Sequence, residues 1–169
     1  ASEWSNYCNI SFNQVDNIES SDIRISFNEP GSWSYIGTDA KGVNKNEPTV
    51  NFGWLNSGLD EKEYRRVVLH EFGHVLGLLH EHQNPSVQVN WDKPKVYWYC
   101  NLYFGWSQQT TDINIIQEFE KKESKFSRVD KESIMGYWIP PEFTKDGTAF
   151  PLNFELSKMD KDFIGQIYK

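Results

Sequence analysis

Three of the four histidines in this 169-residue chain fall within residues 70–80, which read His-Glu-Phe-Gly-His-Val-Leu-Gly-Leu-Leu-His. Two histidines four positions apart project from one face of a helix, about a turn from each other. Gly77 favours a left-handed turn that a residue with a Cβ resists. The pattern therefore predicts a helix that carries His70 and His74, ends near Gly77 and is followed by a turn that brings His80 back to the other two.

These three histidines are the candidate ligands of one Zn²⁺ ion, because neutral imidazole is a natural zinc ligand. Glu71 is rotated by about 100° from His70 around the helix axis, which places its carboxylate beside the metal rather than among the ligands. Three protein ligands leave one position open for water, as in catalytic rather than structural zinc sites. We interpret His82 as a residue near the site or on the surface.

The segments around this motif predict a mixed fold. Three segments of the first third are β-prone: Asp22–Phe27, Ser32–Thr38 and Thr49–Trp54. In Asp22–Phe27 the apolar residues alternate with polar ones, which predicts a half-buried strand with Ile23, Ile25 and Phe27 on its apolar face.

Helices follow the strands in the sequence. Asp60 is the predicted N-cap of the histidine-bearing helix. Less regular short helices are expected near Asp92–Tyr99 and Asp112–Lys122, and a final helix is capped by Ser157 with Asp160 at its third position. Strands first and helices later indicate an α+β fold.

The composition limits the classes of partner. The net charge is −7, and the one lysine cluster alternates with acidic residues in Glu120-Lys121-Lys122-Glu123-Ser124-Lys125, so no nucleic-acid track is predicted. No apolar run approaches the roughly 18 residues of a membrane span. The chain also opens without a charged and then apolar leader, so any signal peptide has been removed, and we expect a secreted protein. Cys8 and Cys100 could form one disulfide or remain buried thiols.

The histidine motif resembles that of the metzincin metallopeptidases, which also share a downstream methionine turn. Ser133–Tyr137, Ser-Ile-Met-Gly-Tyr, is similar to that turn. The resemblance implies that Met135 forms a hydrophobic floor under the histidines without binding zinc. It also implies that Tyr137, as in astacin-like members, lies beside the metal and donates a hydrogen bond to the oxyanion of the transition state.

Further stretches are similar to bacterial and fungal astacin-like enzymes, among them Asp22–Phe27, Ser32–Ala40, Pro48–Leu55, Glu81 and Leu156–Tyr168. The likeness implies a single metallopeptidase domain over residues 1–169, with a small twisted mixed sheet and the active-site helix in an upper subdomain (about 1–80). A largely irregular lower subdomain (about 81–169) ends in a helix. It also implies that Thr49–Trp54 is the rim along which a peptide pairs, with Phe52, Gly53 and Trp54 as substrate-binding residues.

The sequence departs from the family pattern in two places. Gly136 stands where such turns usually carry histidine. The family also opens with a strand and a long helix, whereas Ala1–Asn9 resembles only the end of that helix. An extra strand could therefore pair at the sheet edge, unless Asn9–Phe12 supplies it, and a role of Glu81 in binding a buried amino terminus becomes doubtful.

The predicted activity is hydrolysis of protein or peptide substrates by a zinc endopeptidase, with Glu71 as general base and Tyr137 as oxyanion donor. Two alternatives remain: a zinc-holding binding module without catalysis, and a zinc hydrolase of non-peptide amides. The retention of Glu71 disfavours the first.

Overall fold

The computed structural model describes residues 1–55, 58–119 and 128–169. The lysine cluster and the end of the helix predicted at Asp112–Lys122 lie outside this part of the chain. The chain forms two compact units. The first comprises Ala1–Leu79, Ser133–Met135 and Phe154–Lys169, and the second comprises His80–Glu132 and Gly136–Asn153.

A small mixed sheet lies in the first unit. Its strands are β1 (Ile25–Ser26), β2 (Ser32–Ser34) and β3 (Val50–Phe52), in the order β1-β3-β2. The central strand β3 pairs parallel with β1 and antiparallel with β2. All three β-prone segments therefore contribute a strand, and each strand is shorter than its predicted segment.

The predicted apolar face of the first strand holds for Ile23, which packs partly buried against the core, but is wrong for its other two residues. Ile25 and Phe27 are 49 % and 62 % exposed, whereas Arg24 is 8 % exposed. Burial of Arg24 is stabilised by its guanidinium, which donates hydrogen bonds to the carbonyl oxygens of Val43, Asn44 and Glu47. The acceptors of this guanidinium lie in a loop about twenty residues later. The alternation of apolar and polar residues within the strand therefore could not predict that Arg24 is buried.

The predicted histidine-bearing helix is α1 (Glu61–Val75). The side chain of Asp60 accepts a hydrogen bond from the backbone N–H of Glu63, as predicted for the N-cap. At the other end the N–H of Gly77 bonds to the carbonyl of His74, and that of Leu78 bonds to Gly73. Gly77 has a φ of +89°, the left-handed conformation that ends a helix in this way.

The second unit contains α2 (Lys93–Phe104) and α3 (Gln108–Thr111). Helix α3 continues directly into a π-helical turn, Asp112–Ile116, which we call the π turn. The two short helices predicted here therefore exist, but α2 extends to Phe104 and the second one begins before residue 112. Short 3₁₀ turns occur in the two units at Trp4–Asn6, Ile18–Ser20, Gly37–Gly42, Glu81–Gln83 and Pro141–Phe143.

The final helix, α4 (Lys158–Ile167), belongs to the first unit. Its capping box joins Ser157 and Asp160: the serine hydroxyl accepts from the N–H of Asp160, and the carboxylate accepts from the N–H of Ser157. This cap was predicted from the sequence. The core beneath the helix includes Trp4, Phe72, Leu156 and Ile164.

The amino-terminal segment does not add a strand within the described residues. Residues 9–13 have no strand pairing, and only the 3₁₀ turn Trp4–Asn6 represents the expected helix end. Trp4 anchors this segment, because its ring is fully buried and donates a hydrogen bond to the carbonyl of Leu69. Asn9–Phe12 is therefore not the missing strand, and β1 and β2 are the edges of the sheet.

Both cysteines are free thiols. Cys8 lies close to the carbonyl oxygen of Trp4, and Cys100 is buried in the core of the second unit. None of the described helices has the length and apolar character that a bilayer span requires.

Candidate active site

Helix α1 places His70 and His74 one turn apart on the same face, as their spacing predicts. Their rings lie 4.8 Å apart between centroids and are perpendicular to each other, and each residue is 5 % exposed. Burial lowers the pKa of His74 to about 4, so this imidazole is neutral at physiological pH. A neutral ring is the form that binds a metal ion.

The turn at Gly77 is followed by His80. One ring nitrogen from each of His70, His74 and His80 lies within 4.8 Å of the other two. Of the part of the chain that the structure describes, this is the one cluster of at least three histidine, cysteine or carboxylate groups suited to a metal. The structure therefore brings the three predicted ligands together.

Hydrogen bonds fix the tautomer of all three rings. Nδ1 of His70 lies 2.9 Å from the carbonyl oxygen of Ile134, and Nδ1 of His74 lies 2.8 Å from that of Leu78. Nδ1 of His80 lies 2.9 Å from the side-chain oxygen Oε1 of Gln83. Carbonyl and amide oxygens only accept hydrogen bonds, so Nδ1 carries the proton in each case. The Nε2 atoms then hold the lone pairs, and this set of donors fits the ligand chemistry of Zn²⁺.

Glu71 is buried beside these histidines on α1. It is 5 % exposed, and burial raises the pKa of its carboxyl to about 8, partly offset by the positive charge of Arg66. Its Oε2 is buried and makes no hydrogen bond with any described residue. Buried carboxylate oxygens normally have a partner. An oxygen atom without a hydrogen-bond partner is suited to accept a proton from a water molecule, which is the role of a general base.

The methionine turn is held by a single carboxylate, that of Asp160 at the start of α4. Its Oδ1 accepts from the hydroxyl of Ser133, and its Oδ2 accepts from the N–H of Ile134 and of Ser157. The Ile134 carbonyl in turn binds Nδ1 of His70. Asp160 therefore connects the end of the chain to the first candidate ligand.

Met135 lies directly against α1. It is 2 % exposed, and a Cβ added to Gly73 would lie 2.3 Å from its sulfur. The helix thus approaches the methionine closely at Gly73, between the two helical histidines, where an added Cβ would require the methionine side chain to shift. This placement supports the role of Met135 as a hydrophobic floor.

Tyr137 and His82 pack beside the third candidate ligand. The ring of Tyr137 lies 4.4 Å from that of His80 and 4.9 Å from that of His82, measured between centroids. His82 is 2 % exposed, and its Nδ1 accepts from the N–H of Tyr137 while its Nε2 lies 3.2 Å from the carbonyl of Asn114. His82 is therefore a buried neighbour of the site rather than a surface residue.

Glu81 has a structural partner within its own unit. Its Oε1 accepts hydrogen bonds from the side chain of Asn84 and from the backbone N–H of Asp130. This carboxylate ties the segment after the third histidine to the chain ahead of the methionine turn.

The predicted rim at Thr49–Trp54 needs correction. Strand β3 is central, both of its edges pair with neighbouring strands, and Phe52 is 3 % exposed. A peptide therefore cannot add to Val50–Phe52. A Cβ on Gly53 would lie 1.9 Å from the carbonyl oxygen of Glu29, which indicates a packing role. Trp54 is 46 % exposed, and its contact with substrate stays a prediction.

Two residues of the site were not identified from the sequence. Asp160 was recognised only as part of a helix cap, and nothing in that pattern indicates a second set of partners 26 residues earlier. Gln83 lies three residues after His80, but its backbone partners are 30 and 34 residues away. A polar residue at this distance from a ligand is too common to predict its contact.

Comparison with known proteins agrees with this geometry. The family model of astacin, a family of peptidases, matches residues 1–167. A solved structure described as the structure of myroilysin is 42 % identical and superposes with a TM-score of 0.92, covering 98 % of this chain and 81 % of that one. A second myroilysin crystal structure, also 42 % identical, covers 98 % and 73 %, with a TM-score of 0.71. No curated protein matches at the sequence level.

The shared fold is that of the metzincins, with a small mixed sheet and the histidine-bearing helix. The family match over nearly the whole chain, together with the histidine cluster, supports a metalloendopeptidase. The chain therefore belongs to the astacin family of peptidases.

Proposed function

We propose that this chain is a secreted, zinc-dependent endopeptidase in which Glu71 is the general base. The observation that carries the proposal is the cluster of three histidine nitrogens, each with its tautomer fixed, next to a buried glutamate on the same helix. His70, His74 and His80 would hold the zinc ion through Nε2. When bound, zinc supplies a Lewis acid that polarises the peptide carbonyl and increases the acidity of water.

Glu71 would accept a proton from the attacking water and later pass it to the leaving amine. Its burial on the histidine-bearing helix supports this role, because a carboxylate held close to the reacting water can take up its proton and give it back. Its Oε2, which has no partner among the described residues, is the atom we assign to this transfer.

Tyr137 would donate its phenolic hydrogen bond to the oxyanion that develops on the scissile carbonyl. Support comes from its packing against the ring of His80, which places it beside the third ligand. His82 accepts the backbone N–H of Tyr137 and stacks on its ring, so the orientation of this tyrosine is restrained from two directions.

A peptide substrate would pair with the outer edge of β2 rather than with β3. The N–H of Tyr35 bonds to the carbonyl of Thr49, and in an antiparallel pair such bonding residues alternate along the strand. The backbone groups of Ser32 and Ser34 then point away from β3, where an extended peptide can add as a further strand.

A direct test is incubation of the protein with casein, followed by labelling of newly formed amino termini. Cleavage at internal peptide bonds is expected. The binding-module alternative predicts no new termini. The amide-hydrolase alternative predicts hydrolysis of small amides while casein stays intact.

Replacement of Tyr137 by phenylalanine is expected to lower kcat by roughly 10²–10³-fold, since one oxyanion donor contributes about 2.7–4 kcal/mol to the transition state. KM should change little, because the donor is needed only once the tetrahedral oxyanion forms. Steady-state kinetics on one peptide substrate measures both. A raised KM with an unchanged kcat would instead assign Tyr137 to substrate positioning.

A further inference from the structure

Gln83 is a buried amide with hydrogen bonds at both ends. It is 2 % exposed. Its Oε1 lies 2.9 Å from Nδ1 of His80, and its Nε2 donates to the carbonyl oxygens of Ile113 at 2.7 Å and Gln117 at 2.8 Å. The side chain therefore connects the third candidate zinc ligand to two backbone groups that follow α3.

These two carbonyls decide which way the amide faces. Carbonyl oxygens accept only, so the nitrogen of Gln83 must face Ile113 and Gln117. The amide oxygen must then face His80, and because that oxygen also only accepts, Nδ1 of His80 must carry the proton. The lone pair of His80 is left on Nε2, the atom assigned to the metal.

The π turn, Asp112–Ile116, supplies one of these carbonyls and holds a second side chain of the site. Ile113 accepts from Gln83, and the next carbonyl, that of Asn114, lies 3.2 Å from Nε2 of His82. The His82 ring lies 5.2 Å from that of His80 between centroids. Insertions of this kind into helices are frequent at functional sites. Here the turn presents successive carbonyls to two buried side chains beside His80.

His80 differs from the other two candidate ligands because its Nδ1 faces a side-chain amide. The Nδ1 atoms of His70 and His74 face backbone carbonyls, which no substitution removes. We propose that Gln83 is the positioning residue of the third zinc ligand, fixing the tautomer and ring orientation of His80 through an amide clamped by the carbonyls of Ile113 and Gln117. This inference rests on the proposed zinc site.

The first test reads the tautomer in metal-free protein, so it needs no activity. Long-range ¹H–¹⁵N NMR correlation distinguishes a proton on Nδ1 from one on Nε2. The expected result is that His80 of the wild-type protein carries its proton on Nδ1 and that Gln83→Met leaves both tautomers populated. An Nε2-protonated His80 in the wild-type protein would overturn the proposal.

The second test measures zinc affinity by competition with a chelator. Gln83→Met keeps the length of the side chain and removes both the amide oxygen that accepts and the amide nitrogen that donates. Zinc binding should therefore weaken by roughly 10–100-fold, which is the usual effect of losing a group that orients a metal ligand. Asn51→Leu is the matched control. Asn51 is also a fully buried amide that donates to two carbonyls, those of Glu29 and Gly31, and it is not one of the groups clustered for a metal in the described part of the chain.

Both variants are expected to unfold at lower denaturant concentration, and only Gln83→Met should lose zinc affinity in the folded state. If zinc binds equally well to Gln83→Met and to the wild type, Gln83 has a purely structural role and the proposal is overturned. If the wild-type protein binds no zinc, the proposed function itself fails. This result is distinguishable from equal zinc binding by the variant and the wild type.

Discussion

Replacement of Glu71 by alanine is expected to reduce peptide hydrolysis by on the order of 10²–10⁴-fold while zinc content and fold stay unchanged. Glu71 is buried on α1, next to His70 in the sequence, and its Oε2 bonds to no described residue. Its removal therefore deletes the proton acceptor without breaking a bond at that atom. Kinetics and elemental analysis on the same preparation separate loss of the base from loss of the metal.

Two further variants sharpen this test. Glu71→Gln keeps the shape of the side chain and lacks its basicity, so it should lose as much activity as Glu71→Ala. Glu61→Ala removes an exposed glutamate from the first turn of the same helix and should leave kcat unchanged. Near-normal activity of Glu71→Gln would show that another group takes the proton.

Replacement of Asp160 by alanine is expected to lower the free energy of unfolding by about 3–5 kcal/mol. The substitution leaves the N–H groups of Ile134 and Ser157 and the hydroxyl of Ser133 without their acceptor. Each unsatisfied buried group costs about 1–3 kcal/mol. Because the carbonyl of Ile134 holds His70, zinc affinity should fall as well.

Urea unfolding of the metal-free protein measures this loss without a contribution from the ion. Asp162→Ala is the matched control on α4, since Asp162 is exposed and pairs with Lys158 on the surface. Such a pair contributes at most about 1 kcal/mol. Equal effects of the two substitutions would contradict the role of Asp160 as the anchor of the methionine turn.

The histidine-bearing helix and its cluster could be predicted because their determinants are local. The N-cap at Asp60, the spacing of His70 and His74 and the left-handed turn at Gly77 all act within one segment. The final helix was predictable for the same reason, since its capping box joins residues three positions apart. Local rules of this kind also place Glu71 on the helix that carries the ligands.

Features that depend on distant partners were missed or misplaced. Arg24 is buried because three carbonyls about twenty residues later accept its hydrogen bonds, whereas the predicted alternation places it on the polar face of its segment. The resemblance implied a rim at Thr49–Trp54, and the sequence of that segment shows only that it is β-prone, not its place in the sheet order. Asp160 reaches the site through a residue 26 positions earlier, and the carbonyls that orient the amide of Gln83 lie 30 and 34 positions later.

The sheet of the described residues has an open edge at β1. This strand carries the exposed side chain of Ile25, with Phe27 just beyond its end, and has a neighbour on one side only. Such an edge can accept a further strand. Pairing of an extra strand there stays a prediction, and light scattering over a concentration series would show association through it.

Zinc titration of the metal-free protein tests most directly whether the three histidines form a catalytic zinc centre. Hydrolysis of a peptide substrate should rise in proportion to added zinc and level off at one equivalent per chain. His80→Ala should remove this response. Full activity in protein shown by elemental analysis to contain no metal would contradict the proposed zinc mechanism.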